Sequence, residues 1–289
     1  MKKKLKIITI ICGLLILSGC NLFKKDQFEG VTIYTTAYTI EYITDKLYGE
    51  YSNIYSIYPD GIEIEEYKIT NKKINEFSKA NLFVYNGLST EKQIAASLVN
   101  KNKKLNIIDV SRGLEIKGEA LELWISPSNC LMIAQNIKNG LKDYITNTSI
   151  LEAVDNNYEE LKIAISEIDA ELKLIAENAT NKTLITYGNA FDFLSKYGFE
   201  VVNISSEEET ASANISRAKK AFNNKENSYL FILSGSNQED EDIVNMVSSG
   251  ASIRVINKMA NISDEERKED LDYITFMKDF IEAIKSEVY

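Results

Sequence analysis

The sequence predicts an α/β protein with two β/α lobes, each built on a parallel-type sheet, joined by one long backbone helix. First, strand-like and helix-like segments alternate in both halves of the chain, which is typical of parallel sheets. Second, a segment between the halves, residues 149–178, has helical periodicity and lacks Gly and Pro. Third, 44% hydrophobic residues in a chain of 289 provide enough apolar surface for one large core or two ordinary ones.

Each half contains four short apolar runs that predict strands. In the first half these are "VTIYTT", "NIYSIY", "NLFVYNG" and "LNIIDV". The helical patterns between and after them cover residues 39–48, 71–80, 90–99 and 128–144. In the second half the strands are "TLITY", "EVVNI", "YLFIL" and "SIRVI", and the helices are 189–197, 211–223, 238–249 and 264–287. We expect buried parallel strands with right-handed crossovers.

The central helix carries an apolar stripe. Its members alternate spacings of four and three, which puts them on one face: Val154, Tyr158, Leu161, Ile165, Ile168, Leu172 and Ile175. Such a stripe is compatible with a coiled-coil seam between two chains. We favour a rigid helix about 45 Å long that both lobes pack against, and therefore expect a monomer.

The N-terminal segment has the features of an export signal. A basic stretch containing Lys2, Lys3, Lys4 and Lys6 precedes an apolar run over residues 7–17, which is too short to span a bilayer. The following "LSGC" resembles the bacterial lipobox, which implies that Cys20 carries lipid and holds the protein to the outer face of the cell membrane. An ordinary secretory signal, with Cys20 incidental, is the alternative.

These features divide the chain into five parts. The predicted boundaries are a signal peptide at 1–20, a tether at 21–29, an N-terminal lobe at 30–146, the long helix at 147–179 and a C-terminal lobe at 180–289.

Composition excludes several classes of function. A net charge of −10 argues against a nucleic-acid partner. Once Cys12 leaves with the signal and Cys20 carries lipid, Cys130 is alone, so we expect no intramolecular disulfide and a buried Cys130. The chain has no histidine, phosphate-binding loop or nucleophile elbow, and we expect no enzymatic activity. Glu65 and Glu122 could in principle form a glycosidase pair, but the flanking sequence gives no indication of sugar binding.

Several motifs, in the same order along the chain, indicate a family. "YPDGIEIEEYKIT" resembles "PPGADPHEYEPT", "KANLFVYNG" resembles "EADLFIYNG", "IIDVSRGL" resembles "VVDVSEGI", and "ELWISPSNCLMIAQNI" resembles "HVWLDPKNAIKIAENI". In the second half, "YGNAFDFLSKYGFEVV" resembles "HDAFGYLAKRYGLEVV". These are motifs of the zinc- and manganese-binding solute-binding lipoproteins of ABC importers, the TroA/ZnuA-like family. The resemblance implies a cation bound between two lobes, with an importer permease and ATPase as partners.

The same resemblance implies four ligand positions, and this chain departs from the family at each of them. The three histidines correspond to Glu65, Glu122 and Gly188, and the acidic fourth ligand corresponds to Asn257. Because zinc prefers imidazole and thiolate, we expect only weak Zn²⁺ binding. Mn²⁺, Ca²⁺ or Mg²⁺ suits Glu65, Glu122 and the amide oxygens of Asn189 or Asn257 better.

Two other functions remain open from the sequence. The chain could be a metal-free relative that acts as a surface adhesion or interaction protein. It could also carry another small solute in an aromatic cleft. Candidate residues for the lining of that cleft are Tyr38, Tyr67, Tyr187 and Trp124.

Overall fold

Two four-stranded parallel sheets form the framework of the protein. The computed structural model describes residues 26–115, 122–205 and 211–289. The first sheet consists of β1 (Val31–Thr35), β2 (Ser52–Ser56), β3 (Leu82–Tyr85) and β4 (Asn106–Asp109), in the order β2-β1-β3-β4. The second consists of β5 (Thr183–Thr186), β6 (Glu200–Asn203), β7 (Tyr229–Leu233) and β8 (Ser252–Ile256), in the order β6-β5-β7-β8. The pairings in both sheets are parallel.

Helices connect the strands in each lobe. The N-lobe, which precedes the long helix, contains α1 (Tyr38–Tyr48), α2 (Asn71–Phe77), α3 (Glu91–Lys101) and α4 (Pro127–Lys142). The long helix is α5 (Thr148–Asn178). The C-lobe, which follows it, contains α6 (Ala211–Asn223), α7 (Glu241–Ser248), α8 (Asp264–Lys268) and α9 (Tyr273–Val288). These observations confirm the predicted fold class.

The long helix α5 packs against both lobes. It begins after Asn147, whose side-chain oxygen accepts a hydrogen bond from the Ser149 N–H at 2.9 Å, a common N-cap. Every residue of the predicted stripe is buried, and the stripe joins residues of both lobes in one continuous apolar core. The helix contacts α1, α4 and α9. The chain itself therefore covers the stripe, as expected for a backbone helix rather than a coiled-coil seam.

The prediction for the last helix is wrong in one respect. Residues 264–287 form two helices, α8 and α9, because the backbone leaves the helical conformation between them, with Asp270 at φ +54°. The Asp272 side chain then accepts a hydrogen bond from the Thr275 N–H at 2.9 Å and starts α9 as an N-cap. Residues 189–197, predicted as an ordinary helix, form a 3₁₀ helix.

The start of the described chain is fixed beside the long helix. One carboxylate oxygen of Asp26 accepts hydrogen bonds from the N–H and hydroxyl of Thr146 and from the N–H of Asn147, at 2.9, 2.7 and 2.7 Å. The other accepts from the Phe28 N–H at 2.7 Å. The predicted signal peptide and Cys20 lie outside the described residues. Within the described ranges, no helix is long and apolar enough to cross a bilayer.

Candidate functional site

Two cavities meet at Glu122, near the junction of the lobes. The first has a volume of about 450 Å³ and is lined almost entirely by the N-lobe, with Ala260 from the C-lobe. The second, of about 390 Å³, lies between the N-lobe and C-lobe residues 189–196. Glu122 directly precedes the short 3₁₀ turn Leu123–Ile125 that leads into α4, and it lines both cavities. Glu65 also lines the first cavity.

The segment that carries Glu65 has two different faces. Ile62 and Ile64 pack against an apolar cluster of the N-lobe. Glu63 and Glu65 alternate with them, and their side chains are about half exposed. Glu63 has an extended backbone and Glu65 lies in the 3₁₀ turn Ile64–Glu66, and the two carboxylates reach the same side of the segment, where one lysine pairs with both.

Lys258, from the C-lobe, pairs with both carboxylates. Its ammonium Nζ lies 2.7 Å from Glu63 Oε2, and 3.1 Å and 3.3 Å from the two oxygens of Glu65. Burial by itself lowers the pKa of Lys258, but the hydrogen bonds to Glu63 and Glu65 outweigh burial and raise the pKa above its ordinary value. The side chain is therefore a positive charge held against a predicted cation ligand.

Trp124 fixes the backbone of Lys258. The indole Nε1 donates a hydrogen bond to the Lys258 carbonyl at 2.9 Å, and the Tyr273 hydroxyl donates to the Trp124 carbonyl at 2.8 Å. The ring is buried yet lines the first cavity. On the other side, the Lys258 N–H donates to Ser234 Oγ at 3.0 Å. The only tryptophan of the sequence therefore joins the two lobes.

The predicted ligand Asn189 lines the second cavity together with Glu122. Its amide oxygen accepts a hydrogen bond from Asn203 Nδ2 at 2.6 Å. Gly188, at the family's third ligand position, has φ +96°, and a Cβ built there would face open space. Because residues with a side chain rarely adopt this backbone conformation, a histidine would be strained at this position.

Asn257 and Tyr187 make contacts elsewhere. Asn257 borders a separate depression with Glu266, donates to Glu266 Oε1 at 3.1 Å and accepts from the Met259 N–H at 2.8 Å. Tyr187 packs against an apolar cluster of the C-lobe. The structure therefore brings the two predicted glutamates and Asn189 to connected cavities, but does not bring Asn257 to them.

The first cavity has an aromatic and acidic lining. Tyr67 lies edge-on to Tyr58 with ring centroids 5.9 Å apart, and both rings line the cavity with Trp124. The carboxylates are those of Glu65, Glu91 and Glu122. Such a lining suits a positively charged ligand, because the carboxylates of Glu65 and Glu122 and the aromatic faces both attract cations.

Tyr38, the remaining aromatic candidate, belongs to the core. Its ring is buried, with the rings of Tyr42 and Phe276 at centroid distances of 6.4 Å and 6.5 Å. Its contribution is therefore to packing between α1 and the C-lobe.

The ligand set available in this region is poor for zinc. The sequence contains no histidine, and Cys130 is fully buried. Among the described residues, no group of three or more His, Cys, Asp or Glu side chains is placed to hold a metal ion. A cation here would have to use two glutamates and amide oxygens, which are ligands of harder ions, and Lys258 already binds one of the two glutamates.

Three residues of this site are missing from the prediction made from sequence. They are Lys258, Glu63 and Gly235. Glu63 could have been found from the alternation in "GIEIEE", and Lys258 from its position next to Asn257. For Gly235 the sequence carries no signal, because its approach to Lys258 and Glu63 is a tertiary contact.

Residues 33–287 match the family described as zinc-uptake complex component A, periplasmic. The chain belongs to this family. Among its relatives is the high-affinity zinc uptake system protein ZnuA of Bacillus subtilis, 24% identical over 96% of this chain and 92% of the relative. Another is the manganese ABC transporter substrate-binding lipoprotein PsaA of Streptococcus mitis, 27% identical over 96% of both chains. The family is one of substrate-binding proteins of metal ABC transporters and not of enzymes.

Solved structures of related proteins share the fold. The crystal structure of the metal-dependent lipoprotein YcdH from Bacillus subtilis superposes with a TM-score of 0.73 at 21% identity, covering 89% of this chain and 99% of that one. The Zn(II)-bound ZnuA-like domain of AdcA from Streptococcus pneumoniae gives 0.71 at 21% identity, covering 90% and 99%. These likenesses support the two-lobed architecture.

Proposed function

We propose that this protein is the extracytoplasmic substrate-binding subunit of a metal-type ABC importer, held at the membrane by lipid on Cys20. Its partners are the importer permease and ATPase. Its cargo is a divalent cation that accepts oxygen ligands, such as Mn²⁺, Ca²⁺ or Mg²⁺, with Zn²⁺ bound more weakly. Family membership supports the transport role, and relatives named for zinc and manganese support the class of cargo.

One observation carries the proposal for the site. Glu65 and Glu122 line the same cavity, and Glu122 shares the adjoining cavity with Asn189. Two carboxylates that face one cavity favour a cation there, and Lys258 already neutralises part of the charge on Glu65. A divalent cation in this cavity would be bound by oxygen atoms alone, from the two glutamates and the Asn189 amide.

Thermal unfolding with added metal ions tests this function. Because a ligand that binds only the folded state stabilises it by mass action, the melting temperature should rise with Mn²⁺ or Ca²⁺ concentration. The rise should be lost in Glu65→Gln and in Glu122→Gln. Glu66→Gln is the matched control, since Glu66 belongs to the same 3₁₀ turn as Glu65 but lines neither cavity. An unchanged melting temperature with every divalent ion, and no metal in natively purified protein, would rule out a cation cargo.

A metal-free role is the second candidate, and the pairing of Lys258 with Glu65 favours it. In that case the cleft binds another small solute against Tyr58, Tyr67 and Trp124, or the surface binds a protein partner in adhesion. A solute would be detected as additional mass in native mass spectrometry. For an adhesion role, the glutamine variants of the two cavity glutamates should leave binding to the partner unchanged.

A further inference from the structure

We propose that Lys258 is an internal competitor of the cargo cation. Its ammonium is hydrogen-bonded to the Glu65 carboxylate. A divalent cation can therefore bind Glu65 only when the lysine side chain moves away. This inference rests on the proposed function, because it concerns the same cavity and the same cargo. It assigns Lys258 the role of setting the affinity of the site.

Lys258 forms short ion pairs with both carboxylates. The ammonium is shared between Glu63 and Glu65, and its side chain is only 12% exposed, against 51% and 55% for the two glutamates. The positive charge therefore lies on the protein side of the pair, while the carboxylates also reach solvent. Hydrogen bonds between charged groups of this kind are among the stronger ones in proteins.

The surroundings leave space for this ion pair. A Cβ added at Gly235 would lie 3.1 Å from Glu63 Oε2 and 3.2 Å from Lys258 Nζ. The backbone at Gly235 has φ +83°, which also favours glycine. Both restrictions act at one position, so a side chain at 235 would require the ends of Glu63 and Lys258 to shift by a few tenths of an ångström.

The backbone of Lys258 is held from both lobes. The Trp124 indole binds its carbonyl from the N-lobe, and Ser234 binds its N–H from the C-lobe. The base of the lysine side chain is therefore fixed, and its flexible four-carbon chain is the part that can swing. The ammonium can leave Glu65 without a movement of the lobes, as a displaceable competitor requires.

Competition lowers the apparent affinity for the cargo. A divalent cation cannot share Glu65 with an ammonium 3.1 Å away, because like charges at this distance repel each other. When the binding-competent state is only a fraction of the population, the apparent dissociation constant rises by the inverse of that fraction. The state with Lys258 displaced is the competent one here, and the hydrogen bonds to Glu63 and Glu65 keep its population small.

Removing the charge of Lys258 tests the inference. In Lys258→Met, which keeps most of the side-chain length, we expect Mn²⁺ to bind about tenfold more tightly than to the wild type, or tighter still. Equilibrium dialysis of the mature lipoprotein in detergent measures the affinity. Trp124 fluorescence gives a second readout at the site itself, since this is the only tryptophan of the sequence.

Lys285→Met is the matched control. The Lys285 ammonium also bridges two carboxylates, with Nζ 2.7 Å from Glu171 and 2.6 Å from Glu282, but this cluster connects the long helix to α9. Lys285→Met removes the same charge and leaves Glu65 paired with Lys258, so the Mn²⁺ affinity should stay at the wild-type value.

In the double variant E65Q/K258M, the increase in Mn²⁺ affinity should disappear, because the Glu65 carboxylate that the lysine would release is missing. Lys258→Gln removes the same charge if the methionine variant does not fold.

The outcomes separate this inference from the proposed function. Tighter Mn²⁺ binding by Lys258→Met than by the wild type supports the competitor role of Lys258. If only the variant binds Mn²⁺ and the wild type does not, the competitor role is supported but the cargo proposed for the native protein is overturned. Equal binding by wild type and Lys258→Met overturns the competitor and leaves the cargo in place. Absence of binding in every variant overturns both.

Discussion

At the scale of single residues, the surroundings of Glu91 shift the pKa of its carboxyl group strongly. Glu91 is 7% exposed, lines the first cavity and accepts a hydrogen bond from the Asn86 N–H at 2.8 Å. Burial raises the pKa of its carboxyl group to about 7, although the hydrogen bond from the Asn86 N–H acts in the opposite direction. Glu91 therefore holds a proton in the folded state at a pH where an unfolded chain would have lost it.

This pKa predicts a pH dependence of stability. Because the folded value of about 7 lies above the ordinary value of 4.5, the contribution of Glu91 to stability is complete at low pH, below the ordinary value. It is lost as the pH rises through the folded value, and amounts to about 3 kcal/mol. In Glu91→Gln this decline should be absent. Urea unfolding across a pH series that spans both values, followed by tryptophan fluorescence, measures it.

Glu66→Gln provides the comparison, because it removes an exposed carboxylate and should keep the wild-type decline. If Glu91→Gln and the wild type lose stability in parallel over this range, the raised pKa of Glu91 is wrong.

Only part of the candidate site could be predicted residue by residue. Glu65 and Glu122 were expected to share a cleft, and they line one cavity. The pairing of Lys258 with Glu65 spans 193 residues of sequence, and no local pattern encodes so distant a contact. For Asn257, hydrogen bonds with neighbouring groups of the C-lobe hold the amide elsewhere. Which hydrogen-bond partners a side chain such as Asn257 selects depends on the tertiary structure and cannot be read from the sequence.

At the scale of elements, the long helix α5 has one buried and one exposed face. Leu172 is fully buried in the shared core, whereas Leu174, a short step along the same helix, is 58% exposed. The difference follows from the helical period, which turns such close neighbours to different sides.

Alanine at these two positions should have very different effects on the free energy of unfolding. Leu172→Ala leaves a cavity in the core that both lobes share, and should cost about 2–5 kcal/mol. Leu174→Ala should change the free energy of unfolding by less than about 0.5 kcal/mol, because its side chain is mostly in water. Denaturant unfolding of the two variants side by side measures the contrast, and equal losses would mean that α5 presents a different face to the core.

Most elements could be predicted from periodicity alone. The strands β1 to β8 and the long helix form where the sequence patterns indicate. Periodicity failed at the break between α8 and α9, because the local backbone and the Asp272 cap decide where the last helix starts. It also could not distinguish a 3₁₀ helix from an α-helix over residues 189–197, since the two periods differ little over so short a length.

At the scale of the whole molecule, contacts between the lobes extend beyond the candidate site. Arg267 of the C-lobe binds both oxygens of Asp60 in the N-lobe, at 2.6 Å and 2.8 Å. Asn261 accepts from the Gly61 N–H at 2.8 Å and donates to the Pro59 carbonyl at 2.9 Å. Together with the unbroken long helix, these contacts favour small tilts of the lobes over a wide opening.

The proposed membrane attachment gives a prediction for the complete protein. If Cys20 carries the lipid, Cys20→Ser should move the protein from the membrane fraction to the soluble fraction after expression in bacteria, because the acyl chains supply the binding energy. Fractionation with immunoblotting measures the distribution. Cys130→Ser is the control for the loss of a thiol and should stay with the membrane. An unchanged membrane fraction in Cys20→Ser would require another anchor.

If Cys20 carries lipid, the hydrogen bonds that hold Asp26 beside the start of α5 would limit how far the N-lobe could move from the bilayer. A lipid on Cys20 would be separated from this fixed point by a segment that reaches about 20 Å when fully extended. The N-lobe would thus stay close to the lipid headgroups, and any cleft between the lobes would open within a short distance of the membrane surface.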